Sequence, residues 1–315
     1  MRSRLWAWAR LAVGAAVLAL LVWRVGTGPF LDGLRVVDGA SLAVAFAIGF
    51  ATTVCGAWRW AMVARSLGVD LPLRDAVISS YRAQFLNTTL PGGIVGDVHR
   101  AVRHGSDIGD VGLGVRAVVV ERFAGLFVTI ALSVVVLAVL PSPVRPHMPL
   151  AVAALAAAAL VAALVALVAR RLPALRTGLT SRRTALGVVA TTAVVLGGQL
   201  TTFLVAARTA GATAPLRLLA PLTLLALLAM VLPTNIAGWG PREGVAAWAF
   251  GAAGLTASQG VATAVVYGVL VLVASLPGAA VLLIHRRKKS PAAPRRVIGE
   301  HGQRETRRRP EYSHG

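Results

Sequence analysis

Cysteine occurs once, at Cys55, which excludes a disulfide framework within the chain and any cysteine-based metal cluster. The six histidines are scattered, and even His99 and His104, five positions apart, do not make a zinc-binding spacing. Charge is scarce too: 14% of the 315 residues are charged against 57% hydrophobic, a balance that excludes an ordinary soluble domain with a mixed polar surface. Acids are the scarcest charge, 12 against 32 Lys and Arg, for a net charge of +20. That excess falls in short breaks between apolar runs and in the C-terminal tail, so it is no nucleic-acid-binding face. The chain has no HExxH, no GxxxxGK[ST], no Ser/His/Asp set in a plausible context and no soluble stretch longer than about 30 residues. Neither an enzyme activity nor a cofactor is therefore expected.

What the sequence has in abundance is apolar runs of membrane-spanning length. They cover residues 5–23, 40–64, 123–140, 150–169, 185–207 and 261–284, each close to the roughly 20 residues that cross a hydrocarbon core. The first ends in Trp23-Arg24, is too long for a signal-peptide core and lacks a small-residue cleavage site, so it reads as a membrane helix. Trp58-Arg59-Trp60 closes the second as two interfacial tryptophans and a snorkelling arginine. The run 150–169 is dominated by alanine, which permits close helix packing, and Pro277 is expected to kink the last span. Arg170, Arg171, Arg176, Arg182 and Arg183 crowd one loop, and the tail from His285 holds ten Lys and Arg against three acids. Both are expected on the cytoplasmic side, which places both termini in the cytoplasm of a multi-pass cell-membrane protein. Residues 1–285 form the membrane domain, and 286–315 a basic, disordered tail. Its Arg286-Arg287-Lys288-Lys289 run suits anionic lipid headgroups.

Two apolar segments are too interrupted for simple spans. Residues 76–100 contain Leu90-Pro91-x-x-Ile94-x-Gly96, and residues 218–250 contain Leu232-Pro233-x-x-Ile236-x-Gly238, 142 positions later. Loop charge puts the ends of the first segment inside and those of the second outside, which predicts an inverted repeat. The expected fold is an all-α polytopic membrane helix bundle with two broken or re-entrant helical segments. The spans number six, or eight if the second segment crosses twice, and loop charge does not separate the two counts. A Gly/Pro-interrupted helix bares backbone polar groups that must face protein or a wet cavity. The breaks are Pro91, Gly92, Gly93, Gly96, Pro233, Gly238 and Gly240.

Charged and amide side chains near those breaks are expensive in lipid, which makes them the candidate binding groups: Arg82, Asn87, Asp97, Arg100, Glu121, Arg122, Asn235, Arg242 and Glu243. Arginine fits a phosphate through its planar fork. The plainer readings are an interfacial ion pair for Glu121-Arg122, solvated loop positions for Asp97 and Arg100, and a capping role for Glu243 behind Pro241. Gln199, Thr201 and Thr202 read as interhelical hydrogen-bonding groups.

Three stretches, in order, resemble the transmembrane region of the lysylphosphatidylglycerol synthase family of flippase-like proteins. They are Arg82-x-x-Phe85-x-Asn87-x-x-Leu90-Pro91-Gly92-Gly93-x-x-Gly96-Asp97-x-x-Arg100, Glu121-Arg122-x-x-Gly125-Leu126, and Leu232-Pro233 leading to Gly238-x-Gly240-x-Arg242-Glu243. The resemblance covers roughly residues 5–285 and implies the translocation half of such proteins, since the chain ends soon after its last span. It implies a translocase for an anionic or aminoacylated phospholipid or a polyprenyl-phosphate-linked lipid. Membrane lipids are then the partners, with a separate lipid-modifying enzyme beside them. An accessory subunit or scaffold for envelope lipid or glycolipid assembly is the alternative.

Overall fold

The computed structural model describes residues 19, 22–23, 26–90, 93–147, 149–150, 152–153, 181–230 and 239–288. Among the described residues the chain is all-helical, with α1 (Gly28–Arg35), α2 (Gly39–Ser66), α3 (Leu73–Thr89), α4 (Val95–Asp107), α5 (Val111–Val139), α6 (Arg182–Thr209), α7 (Leu216–Ala229), α8 (Pro241–Ala252) and α9 (Ala257–Lys288). α2, α5, α6 and α9 are long and apolar enough to cross a membrane; 28 residues at 1.5 Å each reach about 42 Å. All four expected crossings gain length, most of all the span expected from Phe123, which begins at Val111. Polar caps set these starts. Asp38 accepts the Ser41 N–H at 2.7 Å ahead of α2, and Asp110 accepts the Leu113 N–H at 2.9 Å ahead of α5. The same Ser41 N–H holds the Asp38 carboxyl below its usual range. α9 runs on through Pro277. Most of the expected spans 5–23 and 150–169, and the tail from 289, lie outside the described residues.

Between the long helices lie two pairs of short ones, α3 with α4 and α7 with α8, so the order long, short, break, short, long occurs twice. Neither member of a pair exceeds 17 residues. At the first break Leu90 turns extended and Gly93 takes φ +63°, a left-handed conformation that glycine adopts without strain. The chain then doubles back: a Cβ on Gly96 would collide with the backbone of Ala83, so α4 can lie this close to α3 only because Gly96 has no side chain. At the second break Gly240 holds φ +114° just ahead of Pro241.

Three contacts orient the halves. Arg59 near the C-terminal end of α2 hydrogen-bonds both Glu121 near the start of α5 and Thr192 near the start of α6, so these three ends share one side. Short turns join α3 and α4 to two of those ends, α2's and α5's. On the opposite side Gln259 at the start of α9 reaches the Gly211 carbonyl just past α6, and between those ends lie α7 and α8. The two broken pairs therefore enter from opposite sides, as the expected inverted repeat requires.

The core runs down the middle. α2 crosses α6 where Gly198 admits Thr52 and Ile48, and Phe203 of α6 stacks on Tyr267 of α9 with ring centroids 4.4 Å apart. The halves differ in one respect that shapes the site. α9 lies tight on α3, with Gly278 against the Tyr81 backbone, whereas the corresponding helices α5 and α7 touch only lightly. A cavity opens there.

Candidate functional site

The site grows from Glu121, two and a half turns into α5 and buried to 2% exposure. Its Oε1 accepts from Arg59 Nε at 2.8 Å and pairs with Arg59 Nη2 at 2.6 Å, while its Oε2 accepts from Arg100 Nη2 at 3.0 Å. Asp97, in the first turn of α4, binds Arg122 Nη2 through Oδ1 at 2.5 Å, and Arg100 Nη2 lies 3.3 Å from the same oxygen. Asp97 Oδ2 accepts from Asn87 Nδ2 at 3.0 Å, and Asn87 Oδ1 accepts the Gly96 N–H at 2.7 Å, one of the donors the start of α4 leaves unpaired. Asn87 thus ties the end of α3 to the start of α4 across the break. Three guanidiniums meet two carboxylates, so the network carries one surplus positive charge.

Aromatic and glycine packing hold the network in place. The Arg100 guanidinium lies 4.4 Å from the centroid of Trp60, which meets His104 edge-on. Arg59 Nη1 donates to Thr192 Oγ1 at 3.0 Å. One turn beyond Glu121 is Gly125, where a Cβ would stand 3.1 Å from Arg59 Cζ, so any side chain there would displace the arginine.

A cavity of about 640 Å³ opens beside this network. The first break contributes Gly93 and Ile94, and α7 contributes Leu224, Leu227 and Met230. Arg122 is enclosed by protein and yet its side chain is 51% accessible, because it faces that space. Gln199 of α6 is a polar group on the opposite wall. Val98, Val102, Val119 and Phe123 line the rim and are exposed, so the cavity communicates with the apolar surroundings of the helices.

Arg242 and Glu243 form a separate, closed pair. Glu243 Oε1 accepts from Arg242 Nε at 2.9 Å, Glu243 Oε2 accepts the Gly240 N–H at 2.7 Å, and the two residues are 3% and 0% exposed. The guanidinium is flanked by the rings of Trp239 and Tyr267, 5.2 and 5.3 Å away. The capping role expected of Glu243 is present, with an ion pair added. Arg82 is buried, and its Nε has no hydrogen-bond partner among the described residues.

Of the residues chosen from sequence, Asn87, Asp97, Arg100, Glu121 and Arg122 come together at the cavity. Arg82, Arg242 and Glu243 are buried elsewhere, and Asn235, Pro91, Gly92, Pro233 and Gly238 lie outside the described residues. Four plainer readings need correction. Asp97 and Arg100 are no solvated loop positions, because both lie in α4 with side chains 15% and 5% accessible. Glu121 and Arg122 are no interfacial pair ahead of a span, because α5 begins ten residues before Glu121 and buries it. Trp58 is exposed as an interfacial residue would be, but Arg59 and Trp60 are 9% and 1% exposed, because α2 continues to Ser66 and turns both inward. Thr201 and Thr202 bond the carbonyls of Gly197 and Gly198 in their own helix instead of a neighbour. Sequence reasoning missed Arg59, Trp60 and Thr192 as parts of the site. The available signal was an arginine five residues short of the end of the span expected over 40–64.

A family model described as lysylphosphatidylglycerol synthase TM region matches residues 7–278. No curated protein and no solved structure matches the chain significantly.

Proposed function

Because the chain belongs to the lysylphosphatidylglycerol synthase TM region family, we propose that it is a lipid translocase. Its substrate is a membrane lipid with an anionic or aminoacylated phosphate headgroup, or a polyprenyl-phosphate-linked lipid. The observation that carries this reading is Arg122, a guanidinium half accessible in a mainly apolar cavity, beside a broken helix and open toward the membrane. Apolar walls and one charged group are what an amphiphile requires: chains against α5 and α7, head against the arginine.

The break gives the head a wet, polar station at membrane depth, and Asn87 and Asp97 hold Arg122 and the start of α4 in register around it. Translocation in this reading needs no bond made or broken by the protein itself. Any headgroup chemistry belongs to a separate lipid-modifying enzyme. The protein works in the cell membrane with both termini in the cytoplasm, where the basic tail after α9 meets anionic headgroups.

The test is reconstitution. Purified protein in liposomes should move headgroup-labelled lipids between leaflets, and Arg122→Gln should slow the movement at least tenfold at equal protein incorporation. No movement of any phospholipid or polyprenyl-phosphate lipid would defeat the proposal and leave a scaffold role in lipid assembly as the better account.

A further inference from the structure

The charges around the cavity can be followed oxygen by oxygen. Each carboxylate oxygen of Glu121 and Asp97 already faces a donor: Arg59 on Glu121 Oε1, Arg100 on Glu121 Oε2, Arg122 and Arg100 on Asp97 Oδ1, and Asn87 on Asp97 Oδ2. Glu121 is closed off at 2% exposure, and the Asp97 side chain keeps only 15%. Arg122 differs, since its Nη1 makes no hydrogen bond among the described residues and its side chain remains half accessible. No Asp or Glu occurs before position 289 outside the described residues, so that part of the sequence holds no further carboxylate.

We infer that the cavity selects a lipid whose anionic phosphate head carries no aminoacyl ester and discriminates against an aminoacylated one, because the network beside it has a surplus positive charge and its most accessible member is the Arg122 guanidinium, whereas the Asp97 carboxylate is largely covered by Arg122 and Asn87. The inference rests on the translocase reading for its site and narrows the substrate class.

The physical reason is desolvation. A phosphate diester leaving water for this cavity recovers its lost hydration from the Arg122 fork and cancels the surplus charge of the network. An aminoacyl ester brings in at least one ammonium as well. Inside the cavity that cation would meet Arg122, and to bind Asp97, the carboxylate lining the cavity, it would have to compete with Arg122, Arg100 and Asn87. Displacing any of these breaks the tie between α3, α4 and α5. Arg122→Glu would reverse the preference, since it removes the accessible guanidinium, adds a carboxylate at the cavity and leaves Asp97 with only Arg100 and Asn87.

The experiment compares phosphatidylglycerol with its lysyl ester of identical acyl chains, each offered to the purified full-length protein and scored by retention in native mass spectrometry and by transfer in liposomes. The expected result is about a tenfold or greater preference for the unesterified lipid. That preference should be lost in Arg122→Gln, kept in Arg122→Lys, and inverted in Arg122→Glu. Equal or better retention of the lysyl ester by the unmodified protein would overturn the inference. Water-soluble glycerophosphoglycerol should not displace the lipid at equal concentration, and displacement would overturn the lipid assignment in favour of a soluble phosphate ester. The two readings fail separately. Selective retention without transfer defeats the translocase and keeps the selectivity, whereas equal transfer of both lipids keeps the translocase and defeats the selectivity.

Discussion

Arg59 and Glu121 are 62 positions apart in sequence and joined by two nitrogens on one oxygen, Nε at 2.8 Å and Nη2 at 2.6 Å, with both side chains shut away from the surroundings of the helices. This pair fastens α2 to α5 beside the cavity, and through Arg100 it fastens α4 as well. Removing one member of a buried ion pair leaves its partner charged and unsatisfied.

Glu121→Ala should accordingly lower stability by about 3–5 kcal/mol, the range for breaking a buried pair from one side. Arg59 would then have lost its carboxylate, and Arg100 would keep only Asp97, at 3.3 Å. Thermal denaturation in detergent measures it. A change smaller than that for a lipid-facing control such as Val135→Ala would mean that the pair does not hold the helices together.

Gly240 should not tolerate a side chain. Its φ of +114° lies where L residues are strained, and its N–H must point at Glu243. Gly240→Ala is expected to destabilise by roughly 1–3 kcal/mol, and Gly240→Pro by more, because the donor to Glu243 is lost as well. Gly254, also at positive φ but with open space around its Cβ position, is the control for strain alone.

The close approach of α4 to α3 depends on Gly96, and that of α9 to α3 on Gly278. Each faces backbone that a Cβ would strike. Gly96→Val should spread the hairpin, pull Asn87 away from Asp97 and impair transfer, whereas Gly278→Val should loosen α9 and lower stability without touching the cavity. Limited proteolysis together with the liposome assay separates the two effects. If Gly96→Val transfers lipid at the unmodified rate, the break is not part of the site.

The inverted arrangement makes a labelling prediction. In a Cys55→Ser background, single cysteines at Ser142 and Gly211 should react with an impermeant maleimide in intact cells. Cysteines at Thr177 and Ser290 should react only after permeabilisation. Reaction of Thr177→Cys in intact cells would reverse the expected orientation.

The sequence by itself determined the membrane class, four of the long helices to within a few residues at most ends, and the two breaks. Those features are local: a run of apolar residues must be buried in lipid or protein, and Gly93 or Gly240 changes the backbone where it stands, whatever lies nearby. The Leu-Pro-x-x-Ile-x-Gly repeat and the loop charges also carried the inversion, which the Arg59, Glu121 and Thr192 contacts reproduce. Even the gathering of Asn87, Asp97 and Arg100 was half visible, since all three flank one break.

The partners of each charge were decided only by the tertiary structure. Arg59 and Arg82 are both arginines in apolar stretches, and nothing local tells one from the other. Packing turns Arg59 onto Glu121 and Thr192 and leaves the Arg82 Nε unpartnered, because the rotation of each helix about its axis is set by its neighbours. Arg122 and Arg242 likewise each adjoin a glutamate in sequence, yet only Arg242 pairs closely with that neighbour, Glu243. Glu121 is drawn instead to Arg59 and Arg100, and Arg122 is left to Asp97 and the cavity. Which arginine stays open is a sum over contacts 20 to 130 positions apart, and the order of residues along the chain does not contain it.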